Sequence, residues 1–455
     1  MQNNTPESLV RSVVQACADC DTCRYLMEDT SCQVFPELYR LYDKEAEKQG
    51  EITPQELRTL VDLCNFCALC PCPNIRTDLM KAKHAFIERD GLPPALRLLE
   101  DVGRLARLGG ASPRLTNALL RFGPTGYCLK RLAGIHPERK VPAFPPEDFG
   151  EWAGREGFSL KPPEKQRKVA FFVGCTGRYF FPEVPRAAVE VLRRNGIAVY
   201  YPEQKCCGMP SLLEGDRSLT LEFATFNLNR LAEAVEAGCD IVCSCPTCGY
   251  MLKRSWSDGA CHAADSGSGS GVFAGLFKDE GYFASLEAKK RLQVARHTYD
   301  LGEYLRDLLR AGELNKNFGP VTAQMAYFPP CHLREQGIGE PYVDLLTLVP
   351  GVDLEKISGA FYCCGIAGIM GFKRDFHKVS VAMGNRLMEK IKSLNPERLL
   401  CDCLSCRLQF NQSLPYPVFH PVEILRASYA NTMMASEGDR ALGRKQPLMA
   451  EGSGQ

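Results

Sequence analysis

The 455-residue chain has no apolar run approaching the roughly 20 residues that a membrane-spanning helix needs. Its first ten residues, MQNNTPESLV, have neither the basic start nor the apolar core of a secretory leader. Formal net charge is only +1, so nothing electrostatic argues for nucleic acid as a partner. No G-x-G-x-x-G follows a strand-like run, so the sequence offers no flavin site of its own, and any flavin belongs to a partner. These absences leave a cytoplasmic globular protein as the expectation. What the chain has in excess is cysteine, at 23 residues. Disulfide frameworks belong to small secreted domains, so thiols at this density in a long chain without a leader point to metal.

The thiols are grouped. Cys17, Cys20 and Cys23 form C-x2-C-x2-C, and Cys64, Cys67 and Cys70 repeat it. Three thiolates at this spacing wrap one corner of a cubane [4Fe–4S] cluster, and a fourth comes from elsewhere in the chain. Cys72, followed by Pro73, fits as fourth ligand of the Cys17 set, and Cys32 would complete the Cys64 set. Two zinc sites would leave the third thiol of each triplet idle. Around the triplets, Thr53-Pro54-Gln55-Glu56 is a capping box with proline in the first turn. The helix it starts carries Leu57, Leu60 and Val61 on one face and leads to Cys64. After Pro73, the run TDLMKAKHAFIERDG reads as a helix stopped at Gly91, with His84 on its surface.

Residues 93–165 read as helical and proline-rich linker, with arginines at 97, 104, 107, 114 and 121. The plainer reading is linker helices packed on the next domain. The alternative is a basic amphipathic stretch in peripheral contact with the inner face of a membrane. Cys128 reads as an isolated buried thiol.

From about residue 165 the chain repeats itself. KVAFFVGC ends in Cys175, then come Cys206-Cys207-Gly208 and CSCPTC with Cys245 and Cys248. The second copy has AQMAYFPPC ending in Cys331, then Cys363-Cys364-Gly365 and CDCLSC with Cys403 and Cys406. The gap from lone cysteine to doublet is 30 residues in one copy and 31 in the other. Each copy closes on a His/Glu element, at His297 and His420, which more simply hold structure. Adjacent cysteines are poorly placed for one tetrahedral zinc and strained as a disulfide. A cluster of several irons lets each sulfur meet a different metal. The runs VAFFV, IAVYY, DIVCS, MAYF and ERLLCD alternate with helical stretches, which predicts parallel α/β units. Ligands in such sheets gather beyond the carboxyl ends of the strands, where Cys175, Cys245, Cys331 and Cys403 fall. Five thiols per copy is one more than a cubane needs. Cys243 and Cys401, one before each C-x2-C, read as small hydrophobes ending buried strands or as extra ligands.

This duplicated pattern resembles the cysteine-rich CCG domain pair of the B-type polypeptide of heterodisulfide reductase. With the two triplets ahead of it, the arrangement resembles the D-type polypeptide of that enzyme, in which a C-like ferredoxin part is fused to the CCG pair. It is also similar to the iron–sulfur subunits of anaerobic glycerol-3-phosphate dehydrogenase and of glycolate oxidase. One departure is Pro329 where the family often has aspartate before Pro-Cys-His. The resemblance implies an α+β / α/β fold: a helical two-cluster ferredoxin-like domain (1–92), the linker (93–165), CCG domain 1 (166–320, with an insertion at 255–295 read as a solvated loop), CCG domain 2 (321–430) and a disordered tail (431–455). It implies two cubane clusters and two noncubane [4Fe–4S] clusters. One noncubane cluster would take Cys175, Cys206, Cys207, Cys245 and Cys248, and the other Cys331, Cys363, Cys364, Cys403 and Cys406.

The function implied is an iron–sulfur oxidoreductase subunit that takes electrons from a redox protein or flavoprotein partner and reduces a disulfide or related sulfur substrate. His332, beside Cys331, is the candidate proton donor, since histidine titrates near neutral pH. The alternative is a non-catalytic subunit that hands electrons from a flavoprotein dehydrogenase to a quinone.

Overall fold

The computed structural model describes residues 5–430 apart from 29, 65, 68, 71, 162, 164–165, 261–280 and 359–361. The tail after 430 lies outside the described residues. Among the described residues, the first ninety form helices only: Pro6–Cys20, Thr22–Leu26, Val34–Ala46, Pro54–Asp62 and Pro73–Asp90. The capping box forms as read. The Thr53 hydroxyl accepts from Glu56 N at 3.2 Å, and Thr53 N donates to Glu56 Oε2 at 2.9 Å. Leu57, Leu60 and Val61 then point inward against Val10, Leu38 and Phe86, all buried.

Two four-stranded parallel sheets follow. In the first, β1 (Lys168–Phe172), β2 (Ala198–Tyr200), β3 (Asp240–Cys243) and β4 (Thr298–Asp300) lie in the order β2-β1-β3-β4. In the second, β5 (Ala323–Tyr327), β6 (Val352–Lys356), β7 (Arg398–Leu400) and β8 (Val418–Phe419) repeat it as β6-β5-β7-β8. Every residue of β1 is buried, as a strand covered by helices on both faces must be. Three strands escaped the sequence pattern. β4 and β8 are too short to show a run, and β6 is a largely exposed edge strand, VDLEK, whose polarity hides it.

The repeats pack reciprocally. Helix Glu183–Arg194 of the first packs on Pro421–Tyr429 of the second, and Leu301–Arg310 of the first packs on Pro341–Leu346 of the second. Likewise Pro246–Tyr250 meets Cys331–Gln336, and Gly174–Tyr179 meets Leu404–Ser413. This exchange is a pseudo-twofold, and it turns the carboxyl ends of both sheets toward each other. One apolar core runs continuously through it, with Val169 and Phe171 of β1 in the same cluster as Met325 and Tyr327 of β5.

Three expectations need correction. The matched positions closing each repeat are Asp300 and His420, not His297 and His420. Asp300 and His420 each cap the helix that follows, in capping boxes with Glu303 and Glu423. His297 instead lies exposed, with Nδ1 at 3.2 Å from Asp240. The described parts of the 255–295 insertion are not a solvated loop. Trp256 and Phe283 are fully buried, and the buried Arg291 donates to the carbonyls of Trp256 and Asp258, both at 2.6 Å. The SGSGSG run itself lies outside the described residues. Cys128 is exposed rather than buried.

His420 ties the repeats together. Its Nδ1 accepts from Val422 N at 3.1 Å and its Nε2 donates to Ser244 O, just past β3, at 3.1 Å. Burial depresses its pKa to about 3, helped by the Arg407 charge. His420→Ala should therefore cost about 2 kcal/mol, the sum of a lost cap and a lost buried bond. His297→Ala should fall within about 0.5 kcal/mol of wild type. The unfolded ring takes up a proton near pH 6.5 while the folded ring stays neutral, so wild type loses this stability as pH falls. The gap between wild type and H420A, measured by anaerobic denaturant titration, should narrow by about 1.4 kcal/mol per pH unit below about pH 6.5.

Candidate metal centre

Each sheet delivers its cysteines from the carboxyl ends of three strands. Cys175, Cys206, Cys207 and Cys245 follow β1, β2 and β3, while Cys331, Cys363, Cys364 and Cys403 follow β5, β6 and β7. Cys248 and Cys406 sit in the short helices that start beyond the third strand of each sheet. Glycine permits the crowding. A side chain at Gly174 (φ +72°) would come within 2.7 Å of Cys248 Sγ, and one at Gly365 (φ +85°) within 2.1 Å of Ser380 O.

The thiols meet in two adjoining sets. In the first, Cys175 Sγ lies 3.4 Å from Cys206 Sγ. Cys207 accepts from Cys206 and Cys248, which holds its pKa down at about 6. In the second, the Cys364 thiol donates to Cys406 Sγ at 3.0 Å, and Gly365 N donates to Cys363 Sγ at 3.3 Å. Cys363 is lowered by the thiols of Cys364 and Cys67, and Cys403 by those of Cys245 and Cys406. The contact between Cys245 and Cys403, equivalent residues of the two repeats, lies across the pseudo-twofold.

The N-terminal thiols also sort into two sets. Burial raises Cys17 to about 11, and the next influences on it are Cys23, Cys72 and Cys20. Cys70 is pushed up to about 12 by burial, then by Cys64 and Cys32. Cys72 thus stands with the first triplet and Cys32 with the second. Cys67 donates to Cys363 of the second repeat, which raises its own pKa. Cys23 of the first triplet also acts on Cys70 of the second, so the four sets lie in the order Cys17 set, Cys64 set, second repeat, first repeat. Nothing in the sequence spacing showed that the second repeat adjoins the N-terminal domain.

His332 is buried, and both ring nitrogens are engaged. Nδ1 accepts from the Thr247 hydroxyl at 3.0 Å, and Nε2 donates to Phe66 O at 3.3 Å. The ring stacks on Tyr250 at 5.0 Å. It therefore joins the loop between Cys64 and Cys67 to both repeats, and burial lowers its pKa. This geometry leaves no free N–H to deliver to a leaving thiolate. His84 similarly bridges domains, with Nδ1 donating to Gly215 O at 3.2 Å. Cys243 and Cys401 are fully buried at strand ends.

Nine of the ten repeat thiols, all but Cys206, and Cys67 line one cavity of about 300 Å³. Its remaining walls are chiefly apolar and come from the 98–144 segment (Leu105, Leu120, Val141, Phe144) and from Ile369 and Phe372. So many desolvated thiols cannot all ionise without a compensating cation. The donor set fits a multi-iron group, which takes thiolates and releases their protons. A residue that sequence reasoning missed supports the fit. Arg139 is fully buried, its Nη1 donates to Gln409 Oε1 at 2.6 Å, and its guanidinium lies 4.3 Å over Phe372. Nε and Nη2 have no partner among the described residues. Burial pulls its pKa down to about 10, opposed by the nearby Cys364. A buried cation without a carboxylate is costly, and an anionic centre held by Cys364 and its neighbours would supply the missing charge.

Comparison with known proteins agrees with the duplication. Residues 169–253 and 325–411 each match the cysteine-rich domain CCG. The chain is similar to one subunit of the anaerobic glycerol-3-phosphate dehydrogenase of Escherichia coli strain K12, at 24% identity over 70% of this chain and 72% of that protein. It is similar to one subunit of the fumarate reductase (CoM/CoB) of Methanothermobacter marburgensis, at 25% identity over 58% of this chain and 47% of that protein. Lactate utilization protein A of Halalkalibacterium halodurans is 29% identical over 57% of this chain and 96% of its own length.

Arg139→Met should lower the reduction potential of one centre, because a positive charge beside the second-repeat thiols stabilises the added electron. Arg139→Lys should fall between the variant and wild type. Potentiometric titration followed by electron paramagnetic resonance checks this, and the N-terminal centres should titrate as in wild type.

Proposed function

We propose that this chain is an iron–sulfur electron-transfer subunit of an oxidoreductase complex. The observation that carries the reading is the unbroken contiguity of the four thiol sets, ending in the cavity that the two repeats share. Cys17, Cys20, Cys23 and Cys72 would hold one cubane cluster, and Cys64, Cys67, Cys70 and Cys32 the other. The two sets of five repeat cysteines would hold noncubane clusters. Bound there, these groups would supply one-electron transfer between a donor at the N-terminal end and an acceptor at the cavity. The chain's own part is to hold them in contact, exclude water from the thiols, and shape the acceptor site. The names of the relatives, dehydrogenase and fumarate reductase subunits, support a place beside a partner that carries the other half of the reaction.

The walls bear on the acceptor. Among the described residues, Lys130 is the one cation on this wall, and its ammonium already donates to Pro137 O at 2.8 Å. The leucine, valine, isoleucine and phenylalanine around it suit an uncharged lipophilic acceptor of quinone type best. A disulfide acceptor is the second reading, favoured by the completeness of both five-cysteine sets. Among the described residues no helix is long and apolar enough to cross a membrane. A site inside the cell, with peripheral contact to the membrane, suits the quinone reading.

Stopped-flow reoxidation of the anaerobically reduced protein separates the two. A short-chain menaquinone analogue should reoxidise it, and Val141→Trp, which fills the cavity wall, should slow that step about tenfold while leaving the redox titration unchanged. Fast turnover of a charged disulfide, unaffected by Val141→Trp, would favour the second reading instead.

A further inference from the structure

The helices Val102–Gly110, Pro113–Arg121 and Gly123–Leu132 form an unusual surface. Of the eleven large hydrophobic residues exposed among the described residues, seven lie here: Leu108, Leu115, Leu119, Phe122, Tyr127, Leu129 and Leu132. Phe122 is 63% exposed and Leu132 80%. The helix Pro113–Arg121 buries no residue at all. Leu120 turns to the thiol cavity, but the exposed Leu115 and Leu119 are not explained by packing within this chain.

Charge gives the surface a direction. Between residues 102 and 137 the sequence has Arg104, Arg107, Arg114, Arg121, Lys130 and Arg131, and no aspartate or glutamate. In the whole chain, 55 basic residues face 54 acidic ones, so this local excess stands in an otherwise balanced protein. Arg104, Arg107, Arg114 and Arg121 are exposed, and none forms an ion pair with another described residue. Exposed leucines and phenylalanine interleaved with unpaired arginines match the two layers of a lipid surface: anionic headgroups outside and acyl chains beneath. Three helices of nine or ten residues are too short to cross a bilayer and suited to lying in its interface.

The geometry points to residues 102–132 as a docking face for an anionic lipid bilayer. The inner side of the same helices lines the thiol cavity through the half-buried Leu105 and Leu120, so docking would set the cavity against the membrane. The docking itself does not depend on the identity of the acceptor.

Vesicle flotation with the anaerobically purified full-length protein tests it, using phosphatidylcholine vesicles with and without phosphatidylglycerol. The protein should float with the anionic vesicles and stay behind with the neutral ones. The variant R107Q/R114Q/R121Q should bind at least about tenfold more weakly. L115S/F122S/L132S should lose binding with unchanged circular dichroism and iron content, because all three side chains already face solvent. Absence of flotation, equal flotation with both vesicle types, or variants that bind like wild type would overturn the proposal. So would wild-type dimers that L115S/F122S/L132S converts to monomers, since that assigns the face to a second copy of the chain. Normal redox titration of a protein that fails to float would reject the docking face while leaving the electron-transfer reading intact.

Discussion

Everything in this structure follows from turning the carboxyl ends of two parallel sheets toward each other. A single sheet of this type presents its loops to solvent, where thiols are hydrated and independent. Reciprocal packing of Glu183–Arg194 on Pro421–Tyr429 and of Leu301–Arg310 on Pro341–Leu346 buries those loops instead. Ten cysteines are then desolvated in one place, some forced to share protons with others. Cys207 near 6 and Cys363 and Cys403 held low, beside neighbours pushed high, show the same stress from opposite sides. Thiolates at this density need positive charge, and beside these ten the protein sets little beyond Arg139, near Cys364, and Arg334, which favours the charged forms of Cys331 and Cys363. A multi-iron group resolves the stress, and the buried, under-partnered Arg139 then has an anion to face.

The second consequence is order. The loop between Cys64 and Cys67 is pinned to the repeats by the His332 bond to Phe66 O, while Arg76 reaches across to Glu335 at 2.9 Å. These contacts place the N-terminal thiols against the second repeat. The domain that is nearer in sequence, the first repeat, comes last in the series. Its shared edge with the second repeat, at Cys245 and Cys403, completes the path.

Much of this was legible in the residues. The triplets, the doublets and their near-equal spacings gave the thiol sets, and five hydrophobic runs gave the four inner strands and the edge strand β2. The capping box at Thr53 fixed the start of one helix and Gly91 the end of another, while the second helix begins at Pro73, four residues before the run TDLMKAKHAFIERDG. What stayed hidden was whatever depends on packing between repeats. Strand β6 is polar because it is an edge, and β4 and β8 are too short to leave a pattern. Asp300 and His420 share a role as caps although their chemistry differs, so a search for matching histidines chose His297 wrongly. Arg139 looks in sequence like any linker arginine. Only the fold shows that it is buried and that Arg104, Arg107, Arg114 and Arg121 are not.

The central claim is that the crowded thiols exist to hold several irons each. Iron and acid-labile sulfide analysis of the anaerobically purified protein, paired with Mössbauer spectra of the same sample, tests it most directly. The account expects iron and sulfide in near-equal, cluster-scale amounts, with site populations that separate into cubane centres and a second, distinct type. A protein carrying zinc, or iron without sulfide, or only the signals of the two N-terminal centres, would contradict it.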